Sequence, residues 1–332
     1  MTKCEICNSS AISVIQSLPG YQEGSFYDIK YCKNCNTSFA DPLAVDENIY
    51  NKIYSNAHIV PGYDRYYRFA NDVLKVRNPF LFLSEIEDTY WSIYHFVKEH
   101  NKQVNPKILE VGCGLGYLTY SLNKDGYNAL GLDISEKAVA EAKKKYGDYY
   151  VCADVHDFAR QNHGQFDIVI LTEVIEHIPN PKNFVSSLKS LLSSSGKLLI
   201  TTPSKDAEPD ASQYWNTELP PVHLWWFSKN SFKELASSLN MNCDFIDFTP
   251  FVSRQTNYPK LSDPWRTQTL NRNGQVLFTV DHSDIKHSLK RGLIDAGLMT
   301  YFKRVIKILR KDTSSIPATK ITAILTIDNG QP

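Results

Sequence analysis

The sequence has no excess of charge of either sign. Among its 332 residues, Lys plus Arg and Asp plus Glu number 36 each, so the formal net charge is zero. A protein that neutralises many nucleic-acid phosphates normally carries a clear basic excess. We therefore expect no nucleic acid among its general partners.

Long apolar runs are also missing. No stretch approaches the roughly 18 apolar residues of a membrane span, and the polar start of the chain has no apolar signal-peptide region. We expect a cytoplasmic protein without a membrane span. Its composition, 42% hydrophobic and 22% charged, is typical of a globular chain rather than a disordered one. The length predicts roughly two domains.

Cysteine is sparse, but its placement is informative. Of seven cysteines, Cys4 and Cys7 form one C-x-x-C pair, and Cys32 and Cys35 form a second. Four thiolates at such spacings fit tetrahedral Zn²⁺, whereas two disulfides, the alternative, are disfavoured in a reducing cytosol. Four protein ligands leave no open coordination position. We therefore predict a zinc-binding ribbon over residues 1–45 whose metal is structural.

Residues 46–104 form a connecting segment rich in tyrosine, which we interpret as helical and aromatic. Its rings suit either an interface between lobes or a wall around a ligand. Apolar residues between Phe82 and His100 recur at spacings of three and four. This pattern predicts one amphipathic helix ahead of the main domain.

From Lys107 onward, short apolar runs alternate with helical stretches. Strands are predicted at 107–111, 128–133, 149–154, 166–171 and 197–201, with later strands near 242–248 and at 321–327. Helices are predicted near 116–124, 135–146 and 181–192, with only a short crossover before the fourth strand. Strands alternating with helices favour an α/β fold with a doubly wound, mostly parallel sheet.

A glycine-rich turn, E-V-G-C-G-L-G from Glu110 to Gly116, leaves the first predicted strand and opens a helix. Such a turn lets a ligand approach backbone N–H groups at the helix start. The dinucleotide spacing is G-x-G-x-x-G, and the carboxylate of Glu110 would repel a pyrophosphate. A nicotinamide-dependent dehydrogenase is therefore disfavoured, and a cationic ligand such as a sulfonium amino acid is expected.

Two further carboxylates end neighbouring strands. Asp133, at the end of the second strand, is placed to accept hydrogen bonds from both hydroxyls of a ribose. Asp154, after the third strand, is placed to accept one from the exocyclic amine of adenine.

Together with the run F-D-I-V-I-L-T-E-V-I-E-H-I that begins at Phe166, these motifs closely resemble class I S-adenosylmethionine-dependent methyltransferases. The resemblance covers about residues 105–250. It implies a seven-stranded Rossmann-like sheet with a final antiparallel hairpin in a domain spanning 105–332, interrupted by an insertion at about 250–317. The residues that it assigns to S-adenosylmethionine are Glu110, Gly112, Cys113, Gly114, Gly116, Asp133, Ile134, Asp154, Val155 and Glu173.

The four-cysteine lobe ahead of this domain resembles a bacterial subgroup that modifies sugars, glycan precursors or natural products. By this resemblance the acceptor is a small molecule, methylated on oxygen, nitrogen or carbon. His177 and His223 are candidate general bases, because loops at the carboxyl ends of parallel strands converge on the ligand. The alternative is that both histidines only anchor their loops. Trp225 and Trp226 either stack on an acceptor or close the core.

Two other functions remain open at this point. An RNA methyltransferase would need a local basic face, for which the basic amphipathic stretch 286–311 is the candidate; this stretch otherwise packs on its own domain or lies on a membrane. A scaffold that binds S-adenosylmethionine without catalysis is the other alternative. A homodimer is retained as an expectation.

Overall fold

The computed structural model describes residues 2–60, 62–100, 106–207, 219–252, 268–277, 284–298 and 319–328. In chain order, the described strands are β1 (Thr2–Lys3), β2 (Ser10–Pro19), β3 (Phe26–Cys32), β4 (Thr37–Asp41), β5 (Lys107–Val111), β6 (Asn128–Asp133), β7 (Tyr150–Cys152), β8 (Phe166–Thr172), β9 (Leu192–Pro203), β10 (Trp225–Trp226), β11 (Met241–Phe245) and β12 (Lys320–Ile327).

The described α-helices are α1 (Glu47–Ser55), α2 (Asp64–Asp72), α3 (Pro79–Ile86), α4 (Asp88–His100), α5 (Tyr117–Lys124), α6 (Glu136–Tyr146), α7 (Val155–Gln161), α8 (Pro181–Leu191), α9 (Lys229–Ser237), α10 (Thr249–Val252) and α11 (Asp284–Asp295). Short 3₁₀ helices occupy Val73–Lys75, Ile175–His177 and Lys205–Ala207. Within these described ranges, no helix has the length and apolarity needed to cross a membrane.

The larger sheet has seven strands in the order β11-β12-β9-β8-β5-β6-β7. Strands β5 to β9 pair in parallel, while β12 runs antiparallel to both β9 and β11. The predicted α/β class, with its doubly wound sheet and final antiparallel hairpin, is therefore confirmed. The carboxyl ends of β5, β6 and β8 meet at one edge, where the predicted site residues lie.

The central strands β5 and β8 are mostly apolar because both of their faces are covered. Ile108 and Ile170 face one core with the helices α3 to α6, whereas Leu109 and Leu171 face a second core with α8. All four side chains are fully buried. The second core continues into the cysteine-bearing lobe, so the sheet and the lobe share one apolar interior.

The lobe is a five-stranded antiparallel sheet in the order β1-β2-β3-β4-β10. Its last strand comes from the distant segment Trp225–Trp226, which pairs with Phe39 and Ser38 of β4. Trp225 is 1% exposed, and its ring centroid lies 5.2 Å from that of Phe39. The two tryptophans therefore close the core and present no stacking surface to an acceptor.

Two helix predictions differ from the structure. Instead of one helix over Phe82 to His100, α3 and α4 are separated by Glu87, which has an extended backbone at φ −147° and ψ 143°. The carboxylate of Glu87 pairs with Arg65 at 3.1 Å, which holds the chain at this turn. In addition, α7 occupies the link before β8 where only a short crossover was expected.

Part of the basic stretch 286–311 is described, as α11 and the residues up to 298. Arg291 pairs with Asp72 of α2 at 2.6 Å, and Ile294 is 4% exposed. The described part of this stretch therefore packs on the domain. Residues 299–311 lie outside the described part of the chain.

Candidate active site

The glycine turn after β5 has one open position. Gly112, Gly114 and Gly116 all have left-handed backbones, with φ of 72°, 47° and 77°. A Cβ on Gly112 would lie 2.6 Å from Cγ2 of Val174, and one on Gly116 would lie 2.7 Å from Cβ of Ala142. A Cβ on Gly114 would meet nothing within 4 Å. Two of these glycines allow close packing, and Gly114 borders open space of the kind that a bound ligand fills.

Asp133 lies beside this turn at the end of β6. Its Oδ2 accepts a hydrogen bond from the backbone N–H of Gly114 at 2.8 Å, and its Oδ1 accepts one from Ser135 at 2.9 Å. Burial raises the pKa of this carboxyl. The next side chain, Ile134, is 74% exposed. A hydrogen-bond acceptor and an apolar surface thus adjoin the open side of the turn.

Glu110 lies below the turn and is 4% exposed. Its Oε2 accepts a hydrogen bond from the Thr119 hydroxyl. Burial raises the pKa of Glu110 to about 7, and the nearby charge of Asp133 adds to the shift. Cys113 is 5% exposed and lies against Gly131, so that this residue can line the turn only through its backbone.

Asp154 follows β7 and forms the N-cap of α7. Its Oδ1 accepts hydrogen bonds from the backbone N–H groups of His156 at 2.8 Å and Asp157 at 3.2 Å. Neither of these two N-cap hydrogen bonds has Oδ2 as its acceptor. Val155 follows it and is 7% exposed. The sequence did not show that Asp154 would also cap a helix, because α7 was not predicted.

Glu173 follows β8 with a left-handed backbone at φ 52°. Its Oε2 forms an ion pair with Lys320 of β12, and its Oε1 accepts a hydrogen bond from Thr201 at 3.1 Å. Burial alone would lower the pKa of Lys320, but the charges of Glu173, Tyr66 and Asp88 raise it above its usual value. The carboxylate of Glu173 therefore engages the terminal hairpin.

The two predicted histidines lie together. His177 ends the 3₁₀ helix after β8, His223 precedes β10, and their ring centroids are 4.9 Å apart. Nδ1 of His177 donates to the backbone oxygen of Val222 at 2.6 Å, which leaves Nε2 as the acceptor nitrogen. Burial lowers the pKa of His177, and burial together with His177 lowers that of His223 well below its usual value. Both rings are therefore unprotonated at neutral pH.

The structure also brings the four predicted metal ligands together. Sγ of Cys4 lies 3.6 Å from that of Cys35, and Sγ of Cys7 lies 3.5 Å from that of Cys32. A disulfide would place sulfurs about 2.05 Å apart, whereas a tetrahedral zinc with bonds of about 2.3 Å separates them by about 3.8 Å. The spacing and the thiolate donor set fit Zn²⁺.

Sequence reasoning missed a group of charged residues between the connecting segment and the hairpin. Nη1 of Arg65 lies 3.1 Å from Oε1 of Glu87, and Nη2 donates to the Tyr66 hydroxyl at 2.7 Å. Burial raises the pKa of Asp88 to about 6 and that of Tyr66 to about 12. The only sequence signal was a charged residue, Lys320, directly before the predicted closing strand.

The chain matches the family described as "Methyltransferase domain" over residues 83–246. One curated relative, the ubiquinone biosynthesis O-methyltransferase of Aromatoleum aromaticum, is 34% identical over 101 residues, which cover 29% of this chain and 43% of the relative. The protein of the same name from Vibrio parahaemolyticus is 30% identical over 181 residues, 52% of this chain and 75% of the relative. The chain spans about half or less of the first curated relatives, 43% to 51% of their lengths.

Among solved structures, the plantazolicin methyltransferase BamL, described in complex with a triazolic desmethylPZN analog and SAH, is 18% identical. The match covers 85% of this chain and 97% of that one, with a TM-score of 0.46. The sequence matches to the domain family and to the Vibrio relative establish the family on their own. This chain therefore belongs to the class I S-adenosylmethionine-dependent methyltransferases.

Proposed function

We propose that this protein transfers the methyl group of S-adenosylmethionine to a small-molecule acceptor, such as a sugar, a glycan precursor or a natural-product intermediate. The observation that carries the proposal is the open side of the turn at Gly114, bordered by Asp133, together with the paired rings of His177, after the neighbouring strand β8, and His223, before β10. The names of the curated relatives favour oxygen as the methylated atom over nitrogen or carbon.

Different residues around the turn bind different parts of the cofactor. When bound, S-adenosylmethionine supplies a methyl group on a cationic sulfonium. In this proposal the turn from Gly112 to Gly116, with Cys113 contributing its backbone, holds the methionine portion, and Glu110 supplies negative charge for its ammonium. Asp133 accepts hydrogen bonds from the ribose. The adenine lies between Ile134, Asp154 and Val155.

Glu173 has a different part in the proposal. Because its carboxylate is paired with Lys320, it lines the wall of the crevice as a neutralised pair rather than as a free charge. This arrangement agrees with a cofactor whose cationic end is already matched by Glu110.

The histidine pair would activate the acceptor. Methyl transfer requires the acceptor atom about 3 to 3.5 Å from the methyl carbon and in line with the breaking bond. With Nδ1 of His177 held by Val222, Nε2 is the nitrogen that would take a proton from an acceptor hydroxyl. Such a base contributes about 10² to 10⁴ in rate.

The cysteine cluster, in this proposal, holds a structural zinc that positions the acceptor loop. The lobe pairs directly with the loop, because β4 pairs with β10 and Ala40 donates to the backbone oxygen of Leu224 at 2.9 Å. The zinc would thus stabilise the segment that carries His223. We retain the proposed division into a ribbon at 1–45, a connecting segment at 46–104 and the methyltransferase domain at 105–332.

Calorimetry with S-adenosylmethionine and its demethylated product tests cofactor binding. We expect Asp133→Asn to weaken binding at least tenfold, whereas Asp157→Asn, on the exposed side of α7, should bind as the wild type does. If both variants bind S-adenosylmethionine as tightly as the wild type does, the assignment of this crevice to the cofactor is wrong.

A mass-spectrometric screen of hydroxylated sugars, sugar nucleotides, phenols and RNA tests the transfer itself. Methylation of one class, abolished by Asp133→Asn, is the expected result. Cofactor binding without any methylated product across these classes would instead favour the scaffold alternative, and methylation confined to RNA would favour the nucleic-acid alternative.

A further inference from the structure

The backbone oxygen of Val222 accepts hydrogen bonds from two side chains that lie far apart in the sequence. Nδ1 of His177 donates to it at 2.6 Å, and the hydroxyl of Tyr50 donates to it at 3.0 Å. Tyr50 belongs to α1 of the connecting segment, 172 residues before Val222. We propose that Tyr50 is a positioning residue, which acts through Val222 to hold His177 in the orientation that the reaction needs. Its catalytic consequence rests on the proposed methyl transfer.

A single peptide group connects the two histidines. The carbonyl of Val222 receives the bond from His177, and the N–H of the same peptide belongs to His223. Because a peptide group is planar, the direction of the carbonyl also sets the backbone at His223. A carbonyl oxygen has two lone pairs, and the bonds from His177 and Tyr50 use both. The Tyr50 hydroxyl therefore fixes the peptide from the side opposite the histidine.

The burial of this peptide makes the hydroxyl contact consequential. Val222 is fully buried, so bulk water does not replace a donor that is lost there. A buried acceptor that loses its partner costs more free energy than an exposed one, where water takes over. Without the Tyr50 hydroxyl, the carbonyl is expected to turn, and the bond to His177 is expected to weaken.

The ring of Tyr50 makes a second contact, directly with His177. The two ring centroids are 5.9 Å apart, and the ring planes are nearly perpendicular at 89°. This edge-to-face arrangement is one that aromatic pairs prefer. Substitution by phenylalanine separates the two contacts, because it keeps the ring and removes only the hydroxyl.

Other side chains of α1 hold this helix in place. Ile49 and Ile53, which are 2% and 0% exposed, pack in an apolar cluster with Val222 and Leu270. The helix is therefore anchored by apolar burial on both sides of Tyr50 in the sequence. Loss of the Tyr50 hydroxyl should leave α1 docked, so its effect can be measured in a folded protein.

The orientation of His177 decides which of its nitrogens can act as a base. With the proton on Nδ1, the neutral ring accepts a proton only at Nε2. Glu173 and the ring of His223 are the titratable groups next to His177, and the backbone of Glu173 offers the ring a second acceptor. A ring released from Val222 would place its proton on the other nitrogen, where it cannot serve as the base. Tyr50 thus maintains the tautomer that the proposed reaction uses.

NMR of the full chain with ¹⁵N-labelled histidine tests the positioning without any acceptor. We expect wild-type His177 to carry its proton on Nδ1, with a downfield proton signal that exchanges slowly with water and that disappears in His177→Gln. Tyr50→Phe should speed this exchange by about five- to tenfold, which corresponds to the loss of one hydrogen bond. Tyr67→Phe, which removes a hydroxyl from a tyrosine that is 45% exposed in α2, should leave the signal and its exchange unchanged.

Kinetics with an acceptor from the mass-spectrometric screen tests the catalytic consequence. Tyr50→Phe should lower kcat by about tenfold or more, because it weakens the orientation of a general base. The KM for the acceptor and the affinity for S-adenosylmethionine should stay within about twofold of the wild type, since the hydroxyl of Tyr50 binds neither ligand in this proposal.

Two results would overturn the positioning role whatever the turnover. One is a wild-type His177 that carries its proton on Nε2, and the other is equal proton exchange in Tyr50→Phe and the wild type. Faster exchange with an unchanged kcat would overturn the catalytic consequence. Failure of the wild type to bind S-adenosylmethionine or to methylate any acceptor, with the expected NMR result, would defeat the proposed function and leave the positioning of His177 supported.

Discussion

Single glycines of the turn differ in what surrounds them, although all three have left-handed backbones. At Gly116 a side chain would collide with Ala142 and with the Tyr150 ring at 2.8 Å. At Gly114 it would project into open space. The same substitution should therefore affect folding at one position and ligand binding at the other.

We expect Gly116→Ala to destabilise the chain by about 2–4 kcal/mol, because steric overlap adds to left-handed backbone strain. Gly114→Ala should cost only about 1–2 kcal/mol, from strain alone, but should weaken S-adenosylmethionine binding at least tenfold. Denaturant unfolding and calorimetry measure the two effects.

Gly126→Ala is the matched control for this pair. Gly126 has φ 91° and open space around it, as Gly114 does, but it lies in the turn before β6. It should show the strain and leave cofactor binding unchanged. Equal cofactor affinity in Gly114→Ala and Gly126→Ala would refute the placement of the ligand.

Glu110 gives a pH-dependent prediction. Its pKa of about 7 in the folded chain lies above the reference value of 4.5, so the folded state keeps a proton that the unfolded state has lost between these values. The contribution of Glu110 to stability therefore falls as the pH rises from about 4.5 to 7. Each unit of pKa difference corresponds to about 1.4 kcal/mol.

Glu110→Gln removes this titration. Relative to the wild type, the variant should gain about 2 kcal/mol of unfolding free energy between pH 5 and pH 7.5. Urea unfolding at both pH values, with the difference taken between the two proteins, checks it. A constant difference between wild type and variant would show that Glu110 is not buried as a carboxylic acid.

At the scale of elements, β12 brings a lysine to the end of β8. The pair Glu173–Lys320 is largely buried, with side-chain exposures of 14% and 12%. Removal of one partner from a buried pair leaves an uncompensated charge, which commonly costs about 3–5 kcal/mol. The terminal hairpin is thus connected electrostatically to the wall of the crevice.

Lys320→Met should therefore destabilise the chain by about 3 kcal/mol, and the double variant Lys320→Met with Glu173→Gln should recover most of the loss. Chemical unfolding of the four proteins in a double-mutant cycle measures the coupling. For comparison, Lys143→Met breaks an exposed pair with Asp148 and should change stability by less than about 0.5 kcal/mol. A loss in the double variant as large as in the single one would exclude the electrostatic explanation.

Most elements of the sheet could be predicted because the information is local. Runs such as Ile168–Leu171 are apolar along their whole length, and glycine marks the turn after β5. The break between α3 and α4 at Glu87 could not be predicted, because the apolar spacing continues across it and the cause of the break is a contact with Arg65. Nor could β10, because a two-residue strand has no periodicity and its partner β4 lies far away in the sequence.

The candidate site, too, could be predicted from the sequence only where the information is local. The positions of Asp133 and the glycines follow from strand ends, and the sequence foresaw that His177 and His223 would face one region. Glu176 as a companion of the two histidines, the pairing of Glu173 with Lys320 and the capping role of Asp154 depend on tertiary contacts that no local pattern records.

At the scale of the whole molecule, the cysteine lobe and the methyltransferase sheet share one core and several cross-contacts. The backbone oxygen of Cys35 accepts from the hydroxyl of Ser228, the N-cap of α9, at 2.9 Å. The Thr37 hydroxyl donates to Ser231 at 2.6 Å. Loss of the metal should therefore destabilise the methyltransferase sheet as well as the lobe.

We expect one zinc per chain at the cysteine cluster, and we expect Cys35→Ser to lower the melting temperature of the entire chain by more than about 4 °C, because a structural metal contributes folding free energy directly. Metal analysis and scanning calorimetry provide the readout. Cys152→Ser, at an exposed lone cysteine, should leave both quantities unchanged. A separate low-temperature transition with the main transition unaltered would show that the lobe unfolds independently.

The strand β10 limits how this protein can be dissected or recombined. Deletion of residues 1–45 would expose the side chains of Trp225 and Phe227, both of which are at most 1% exposed in the intact chain. Conversely, transplanting the ribbon onto another methyltransferase would leave one edge of its β4 unpaired unless the host offered a matching tryptophan pair. The two halves are therefore expected to be inherited together rather than exchanged as independent modules.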